Sequence, residues 1–469
     1  MDAVVAQSQT RPRRARAGWG QVGWGRAEII WAAVAFAVLC LAVLIFKPQL
    51  VEPDDYAYQT SIVGITEGHW LTLSTAQAQA LSQHLLDAAS QGGTVMHVGP
   101  AGPIQWVRLA NGRWISEKDP GYPFLAAPFQ ALGIIRLASL CFAALGCLGL
   151  YAGARCWLGR WGGTAAVALF CSSGAAMLFA WRDYMPTFTE TSLIAAGTGA
   201  LLWVLLATGA SAERRTWTGL LGFLAIELAV FCRYTNLVFL GCAVLTVLVA
   251  WRRGRVPGTA LAWWLGSAVA AVGGIALFND LVYGGPLRSG YQPGEIRFSL
   301  GAIGSNLRYL PGHLIEAIPM LALGLAALAW IIARYLRLRH ASGGSTPEAR
   351  RDLAVAIPLA GSWFGLWGLY AGYTWTAAPF LTTLQSVRFY VDATGAIALL
   401  GAWLLIHLAR QARLAAATAS VLAVALFVLG FLSFTVMRTH PFAATGGQPP
   451  GVHVCHGHCQ GPAPARQTR

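Results

Sequence analysis

The feature that most constrains this chain is the recurrence of long apolar runs. They fall near Ile29–Phe46, Ile134–Ala154, Gly163–Ala180, Thr191–Ala210, Thr218–Phe231, Asn236–Ala250, Gly258–Phe278, His313–Ala333, Leu353–Tyr373, Ala393–Ala409 and Leu414–Val436. At about 1.5 Å per residue, a helix of roughly 20 apolar residues crosses a hydrocarbon core of about 30 Å. The runs are continuously apolar rather than alternating, which selects helices over a β-barrel. The expectation is an all-α polytopic membrane protein with about eleven spans. The pair around "FCRYTN" could also be one long tilted helix from Thr218 to Ala250.

Composition agrees: 56% of the residues are apolar and 11% are charged, a balance that a water-soluble domain could not hold without exposing large apolar patches. The net charge of +14 does not call for nucleic acid, because basic residues of polytopic proteins collect in cytoplasmic loops and fix orientation. Here the short loops at Arg155/Arg160, Arg214/Arg215, "WRRGR", "ARYLRLRH…EARRD" and Arg410/Arg413 all fall on one side if the first span starts inside. That arrangement implies a plasma (inner) membrane protein with a cytoplasmic N-terminus. The loops with "PDD", "WRDYMPTFTE", "NDLVYGGPLRSGYQPGEIRF" and "WTAAPFLTTLQSVRFYVD" then lie together outside, with the C-terminus.

Three segments follow from this reading: a basic, disordered cytoplasmic N-terminus over 1–27, a transmembrane region over 28–438 with its first outer loop at about 47–133, and a Pro-, Gly- and His-rich disordered tail over 439–469. Seven of the nine cysteines lie in or beside apolar runs and read as small packing residues. In the tail, "HVCHGHC" gathers Cys455, His456, His458 and Cys459, ligand types suited to zinc or copper, but in a segment ill suited to catalysis. His69, His84 and His97 have no ligand spacing.

The outer loops are long and carry most of the acids, which points to function there. Directly after the first span comes "VEPDDYAYQ". Asp54 and Asp55 could simply be solvated acids at a helix start, favoured by the helix dipole. The following "YAYQTSIVGITEGHW" spaces Tyr58, Ile62, Ile65 and Trp70 like an interfacial helix, which would hold the pair at headgroup depth. Successive helical residues point about 100° apart, so one of the two would react and the other support it. Later in the same loop, "NGRWISEKDPGYPF" places Lys118 and Asp119 before a Pro-Gly turn leading back to the membrane.

These motifs, in order, resemble the bacterial GT-C glycosyltransferases, polytopic enzymes related to protein O-mannosyltransferases and to the aminoarabinose transferase of lipid A. The resemblance rests on the post-span acids, the Lys118–Pro123 turn, "FCRYTN", "FNDLVYGGPLRSGY" and the late "SVRFYVD", and spans about Glu28 to Ala409. The chain departs from the pattern at Asp119, where the family commonly has a second proline, and in its Asp-Asp pair. The resemblance implies a polyprenyl-phosphate sugar as donor substrate and a glycan, lipid or protein acceptor, handled at the outer face. Sugar, acceptor, divalent metal and oligomeric state stay open.

A transfer of this kind needs a carboxylate to take the acceptor's proton, assigned to Asp54 or Asp55, and single displacement with inversion is the default. The departing phosphate needs cations aimed at it. Lys118, Arg182, Arg233, Arg288 and Arg388 are the candidates, each equally able to be a headgroup contact. Arg233 stands out because a guanidinium between two apolar runs needs an anion or a carboxylate to compensate it. Tyr56, Asp183, Glu190, Tyr283 and Tyr291 are candidates for the acceptor or sugar, Asp54 with Asp183 could bind a metal, and Glu190 could equally only cap a span. Glu227 is an intramembrane acid, either functional or buried and paired. A multi-span transporter and a non-catalytic assembly protein remain as alternatives.

Overall fold

The computed structural model describes residues 25–48, 53–81, 83, 95–96, 103, 105–291, 297–342, 346–377, 384–411, 413–439 and 454–455. Among them, ten helices are long and apolar enough to cross a membrane, and one bent pair makes an eleventh if counted as a single span. The chain is an all-α polytopic membrane protein, as its apolar runs imply.

The first span, α1 (Arg26–Leu44), is anchored at its start by a buried glutamate. Glu28 pairs with Arg155 and with Arg160, the latter at 3.0 Å, and its carbonyl accepts from Thr164 Oγ1 at 2.8 Å. The buried carboxylate is thus neutralised by the last turn of α4 (Ala138–Leu158) and the loop after it, and α1 is fixed in register against α4 and α5 (Gly162–Cys171).

The expected span over Gly163–Ala180 is broken. α5 ends at Cys171 and α6 (Gly174–Trp181) leaves at 60°. Ser173 caps α6 by accepting from the Ala176 amide at 3.3 Å. The break lodges against α15 (Arg413–Thr439), where a Cβ on Gly430 would fall 1.8 Å from the Ser172 carbonyl oxygen. Only glycine allows that approach.

The most extensive helix packing joins α4 to α7 (Thr187–Leu206). Gly149 and Gly199 face each other there, and a Cβ on Gly199 would stand 2.1 Å from Gly149. Small residues at such crossings bring backbones close and gain dispersion where lipid removes the hydrophobic drive. α8 (Ala212–Cys232) and α9 (Leu237–Arg252) are separate helices, joined by an extended Arg233 (φ −157°) and a single 3₁₀ turn. The single-helix alternative for Thr218–Ala250 is therefore set aside.

α10 (Gly258–Tyr283) leads into the Gly-rich loop. The span expected from His313 begins later: α11 (Leu300–Ala317), an amphipathic helix that contains Pro311, ends before α12 (Leu321–Ser342) crosses. α13 (Pro347–Ala371) follows, and α14 (Thr394–Gln411) forms the centre of the bundle, buried without interruption from Thr394 to Leu405.

The segment after α1 folds against one end of this bundle. α2 (Pro53–Thr66) buries Tyr58 and Ile62 against α3 (Gly121–Ala131) and Met185, while Trp70 is exposed and rests on Phe124. Between them lies a small antiparallel sheet in the order β1 (Thr72–Leu73), β4 (Trp114–Ser116), β3 (Trp106–Arg108). Thr72 pairs with Ile115, and Trp106 with Ser116. Strand β2 (Val95–Met96) pairs with β5 (Val454–Cys455), the described part of the tail. The remaining tail ligands, His456, His458 and Cys459, lie outside the described residues, as do His84 and His97.

Candidate active site

α2 begins at Pro53, a residue suited to the first helical turn, so Asp54 and Asp55 sit at the positive end of the helix dipole. Their side chains diverge and meet different cations. Asp55 is fully buried and grips Arg182 with both oxygens, at 2.6 Å to Nη2 and 3.2 Å to Nε. That fork-to-fork pair lies between α2 and the segment following α6, where neither group is exposed to solvent. Asp54 turns toward Lys118 Nζ at 3.1 Å and Arg388 Nη2 at 3.2 Å, with its side chain 16% exposed.

Lys118 is delivered by the sheet. Strand β4 ends at Ser116, whose hydroxyl accepts from the Lys118 amide at 3.1 Å, and Pro120 and Gly121 then turn the chain into α3. Gly121 lies against the last turn of α8, where a Cβ would be 2.5 Å from the Phe231 backbone. The loop after α10 closes over this segment: a Cβ on Gly290 would be 2.3 Å from the Glu117 Cα. Tyr291 thereby covers Lys118, ring centroid 4.8 Å from Nζ and hydroxyl at 3.4 Å, while Tyr283 donates to the Ser116 carbonyl at 3.2 Å. Glu117, 3.0 Å from Lys118 Nζ, completes the group.

The electrostatics follow from these contacts. Burial alone would raise the Asp54 carboxyl, but Lys118, a hydrogen bond with Gln105 and the more distant Arg182 outweigh it and hold it below the usual carboxylate range. Burial disfavours the charge on Lys118 as well, and Asp54, Tyr291 and Glu117 overcome it, holding the ammonium well above its ordinary value. Burial pushes the Arg388 guanidinium down to about 10, which leaves it charged at neutral pH. The site is thus a carboxylate held ionised between two cations at the mouth of the bundle.

A second buried network supports it from below. Arg233 meets Glu190 Oε1 at 2.9 Å and Asp392 Oδ2 at 3.9 Å, and donates to Thr187 Oγ1 at 3.2 Å. Asn236 donates to Glu190 Oε2 at 3.1 Å, and Thr191 to Asp392 Oδ1 at 2.6 Å. The compensating partner that Arg233 requires is thus a pair of carboxylates. Arg233 Nη1 also donates to the Arg388 carbonyl at 3.2 Å, so this network fixes the short helix that carries Arg388.

The sequence-derived candidates therefore separate. Asp54, Lys118, Arg388 and Tyr291 converge, with Tyr283 one contact away. Arg182 faces Asp55, and Arg233 faces Glu190. Tyr56 is buried. Arg288 is exposed and makes no ion pair among the described residues. Asp183, whose backbone carbonyl accepts from Tyr122 at 2.5 Å, has its carboxyl raised to about 7 by burial, despite Arg136 and with help from Asp55. No group of three His, Cys, Asp or Glu suited to a metal occurs among the described residues. Glu227 accepts from Ser267 Oγ at 2.8 Å within the bundle. Glu117, Gln105 and Asp392 are members that sequence reasoning did not assign. The signal was there for Asp392, which ends the quoted "SVRFYVD", and for Glu117 beside Lys118.

No protein-family model matches the chain, and no curated protein does. Among solved structures, the archaeal oligosaccharyltransferase AglB from Archaeoglobus fulgidus, in complex with an inhibitory peptide and a dolichol-phosphate, aligns over 91% of this chain at 11% identity and a TM-score of 0.55. The fold is of the GT-C type. A structure of the Archaeoglobus fulgidus oligosaccharyltransferase in the apo form aligns over 89% of this chain at 13% identity with a TM-score of 0.50. ArnT from Cupriavidus metallidurans, bound to undecaprenyl phosphate, aligns over 83% at 15% identity with a TM-score of 0.49. The protein spans 57%, 56% and 61% of those three chains, in that order. In this GT-C fold, the Asp54 cluster occupies the end of the bundle that carries the first loop.

Proposed function

We propose that the protein is a glycosyltransferase that moves a sugar from a polyprenyl-phosphate carrier to an envelope acceptor at the outer membrane surface. The observation that carries this reading is the placement of Asp54 between Lys118 and Arg388, 3.1 and 3.2 Å away, at the start of the segment that follows the first span. A GT-C fold found in an enzyme bound to a dolichol-phosphate supports the class of donor.

The chemistry follows from the arrangement. A phosphate monoanion entering the site competes with Asp54 for the two cations, and Lys118 and Arg388 turn toward it, Arg388 with a geometry suited to two phosphate oxygens. Losing those partners, the Asp54 carboxylate becomes more basic and sits where an acceptor hydroxyl or amine would approach. The acceptor oxygen or nitrogen bonds to the anomeric carbon as the bond from that carbon to the phosphate oxygen breaks, its proton passes to Asp54, and the polyprenyl phosphate leaves with its new charge on the cations. One displacement inverts the anomeric centre. Tyr291, held over Lys118, offers a ring face for the sugar.

Mass spectrometry of envelope glycolipids and glycans from a strain lacking the gene tests the reading. A single missing sugar, restored by the wild-type chain but not by Asp54→Asn, is the expected result. An unchanged glycan profile together with lost uptake of a solute would overturn it in favour of a transporter.

A further inference from the structure

At the end of the bundle opposite Asp54, a cavity of about 650 Å³ opens between α7, α9 and α13, within the roughly 300–1,000 Å³ of small-molecule sites. Its walls are mostly aliphatic, and three lining residues, Leu245, Val249 and Ile357, are exposed at the membrane-facing surface. Its far end is ringed by Arg253, Arg255, Arg350 and Arg351 with Tyr335. Along α9 the lining runs from Phe239 to Arg253, which is about 21 Å of helix, more than one leaflet's share of a hydrocarbon core of about 30 Å.

We propose that this groove binds an anionic phospholipid of the leaflet opposite the Asp54 site, an acyl chain between α9 and α13 and the headgroup phosphate among the arginines. Orientation alone accounts for arginines on this face. It does not account for four of them, from the turn after α9 and the first turn of α13, lining one apolar groove. Arg337 and Arg339, exposed on the same side of the membrane at the end of α12, do not line it. Charge also favours an anion here. Asp352 engages Arg351 at 3.7 Å and Arg334 at 3.3 Å, whereas no ion pair to Arg253, Arg255 or Arg350 is present among the described residues. The Arg351 Nε is buried without a hydrogen-bond partner among those residues. Such an N–H, beside a groove open to lipid, is satisfied by a phosphate oxygen.

The test is native mass spectrometry of the full chain released from nanodiscs containing equal phosphatidylglycerol and phosphatidylcholine. The wild-type protein is expected to retain phosphatidylglycerol selectively. Replacing Arg253, Arg255 and Arg350 by Gln should weaken retention by about fivefold per arginine, of order a hundredfold together. The control pair Arg337→Gln and Arg339→Gln should leave it unchanged. Gly361→Leu, which projects into the groove beside Cys242, should displace the lipid with the arginines intact. Equal retention of both lipids by the wild type, or equal loss in the control pair and the triple variant, overturns the proposal.

Discussion

Exchanging each of the adjacent aspartates for asparagine separates chemistry from architecture. Asp55→Asn takes from Arg182 its forked carboxylate partner in a site where neither side chain is exposed. Breaking a buried pair in this way costs about 3–5 kcal/mol, between about two and four powers of ten in the ratio of folded to unfolded chain. Against a total of about 5–15 kcal/mol for a typical domain, that loss should show as a large fall in thermal midpoint. Asp54→Asn is milder, because Lys118 keeps Glu117 at 3.0 Å and the amide still accepts a hydrogen bond. A loss of about 1–3 kcal/mol is expected there. Turnover should follow the opposite order among the molecules that remain folded. Losing the base removes a factor of about 10²–10⁴, or about 3–5 kcal/mol of barrier. The assay is release of polyprenyl phosphate from a synthetic polyprenyl-phosphate sugar by reconstituted protein, normalised to the folded fraction from size-exclusion chromatography, with a thermal ramp on the same samples. If Asp54→Asn turns over at the wild-type rate, or if Asp55→Asn unfolds no earlier than Asp54→Asn, the division of roles is wrong.

Lys118→Met and Arg388→Met should each weaken binding of polyprenyl phosphate by about tenfold or more, as expected for a lost charge-assisted hydrogen bond of about 1.5–3 kcal/mol, read by displacement of a fluorescent lipid phosphate. Glu190→Gln removes the closest counter-charge of Arg233, so it should lower the thermal midpoint while Asp54-dependent turnover per folded molecule falls only a few-fold; an unchanged midpoint would contradict the supporting role of that network. The carboxyls of Asp183 and Asp119 are both raised from 3.8 to about 7 in the folded chain, chiefly by burial. Between about pH 4 and pH 7 the folded state therefore holds more protons than the unfolded one, and stability falls as pH rises through that window. Asp183→Asn should flatten part of that slope and raise the midpoint at pH 8 relative to wild type, leaving pH 4 unaffected.

The spans were legible because each apolar run must satisfy its backbone within itself, and length alone then fixes how many helices fit. Breaks were not legible. The chain bends 60° between α5 and α6 at two serines that a hydropathy reading absorbs, and α15 packs against the bend at Gly430, more than 250 residues later. Likewise the sheet escaped notice because strands of two and three residues carry no periodicity. In the site, residue type told which side chains carry charge, and topology told which end of the bundle they share, but neither told who pairs with whom. Arg182 and Arg388 are both arginines beside apolar runs, in loops that the charge pattern assigns to one face, equivalent in sequence. In the fold one is locked in a forked pair with Asp55, while the other meets Asp54 with its side chain 14% exposed.

That difference has a physical origin in α2. A helix start places two successive carboxylates in the same favourable dipole yet about 100° apart, so one must face the bundle and the other the loop. The inward one, Asp55, can only be charged if a cation is buried with it, and Arg182 is that cation. The outward one, Asp54, can exchange its partners, because Lys118 has Glu117 and Tyr291 at hand and Arg388 is held in place through its backbone carbonyl by Arg233. A site whose cations are positioned by groups other than the carboxylate can release that carboxylate without collapsing. In the proposed transfer, such release is what a base needs when an anionic leaving group arrives, and the network of Arg233, Glu190 and Asp392 would hold the cations in place from beneath.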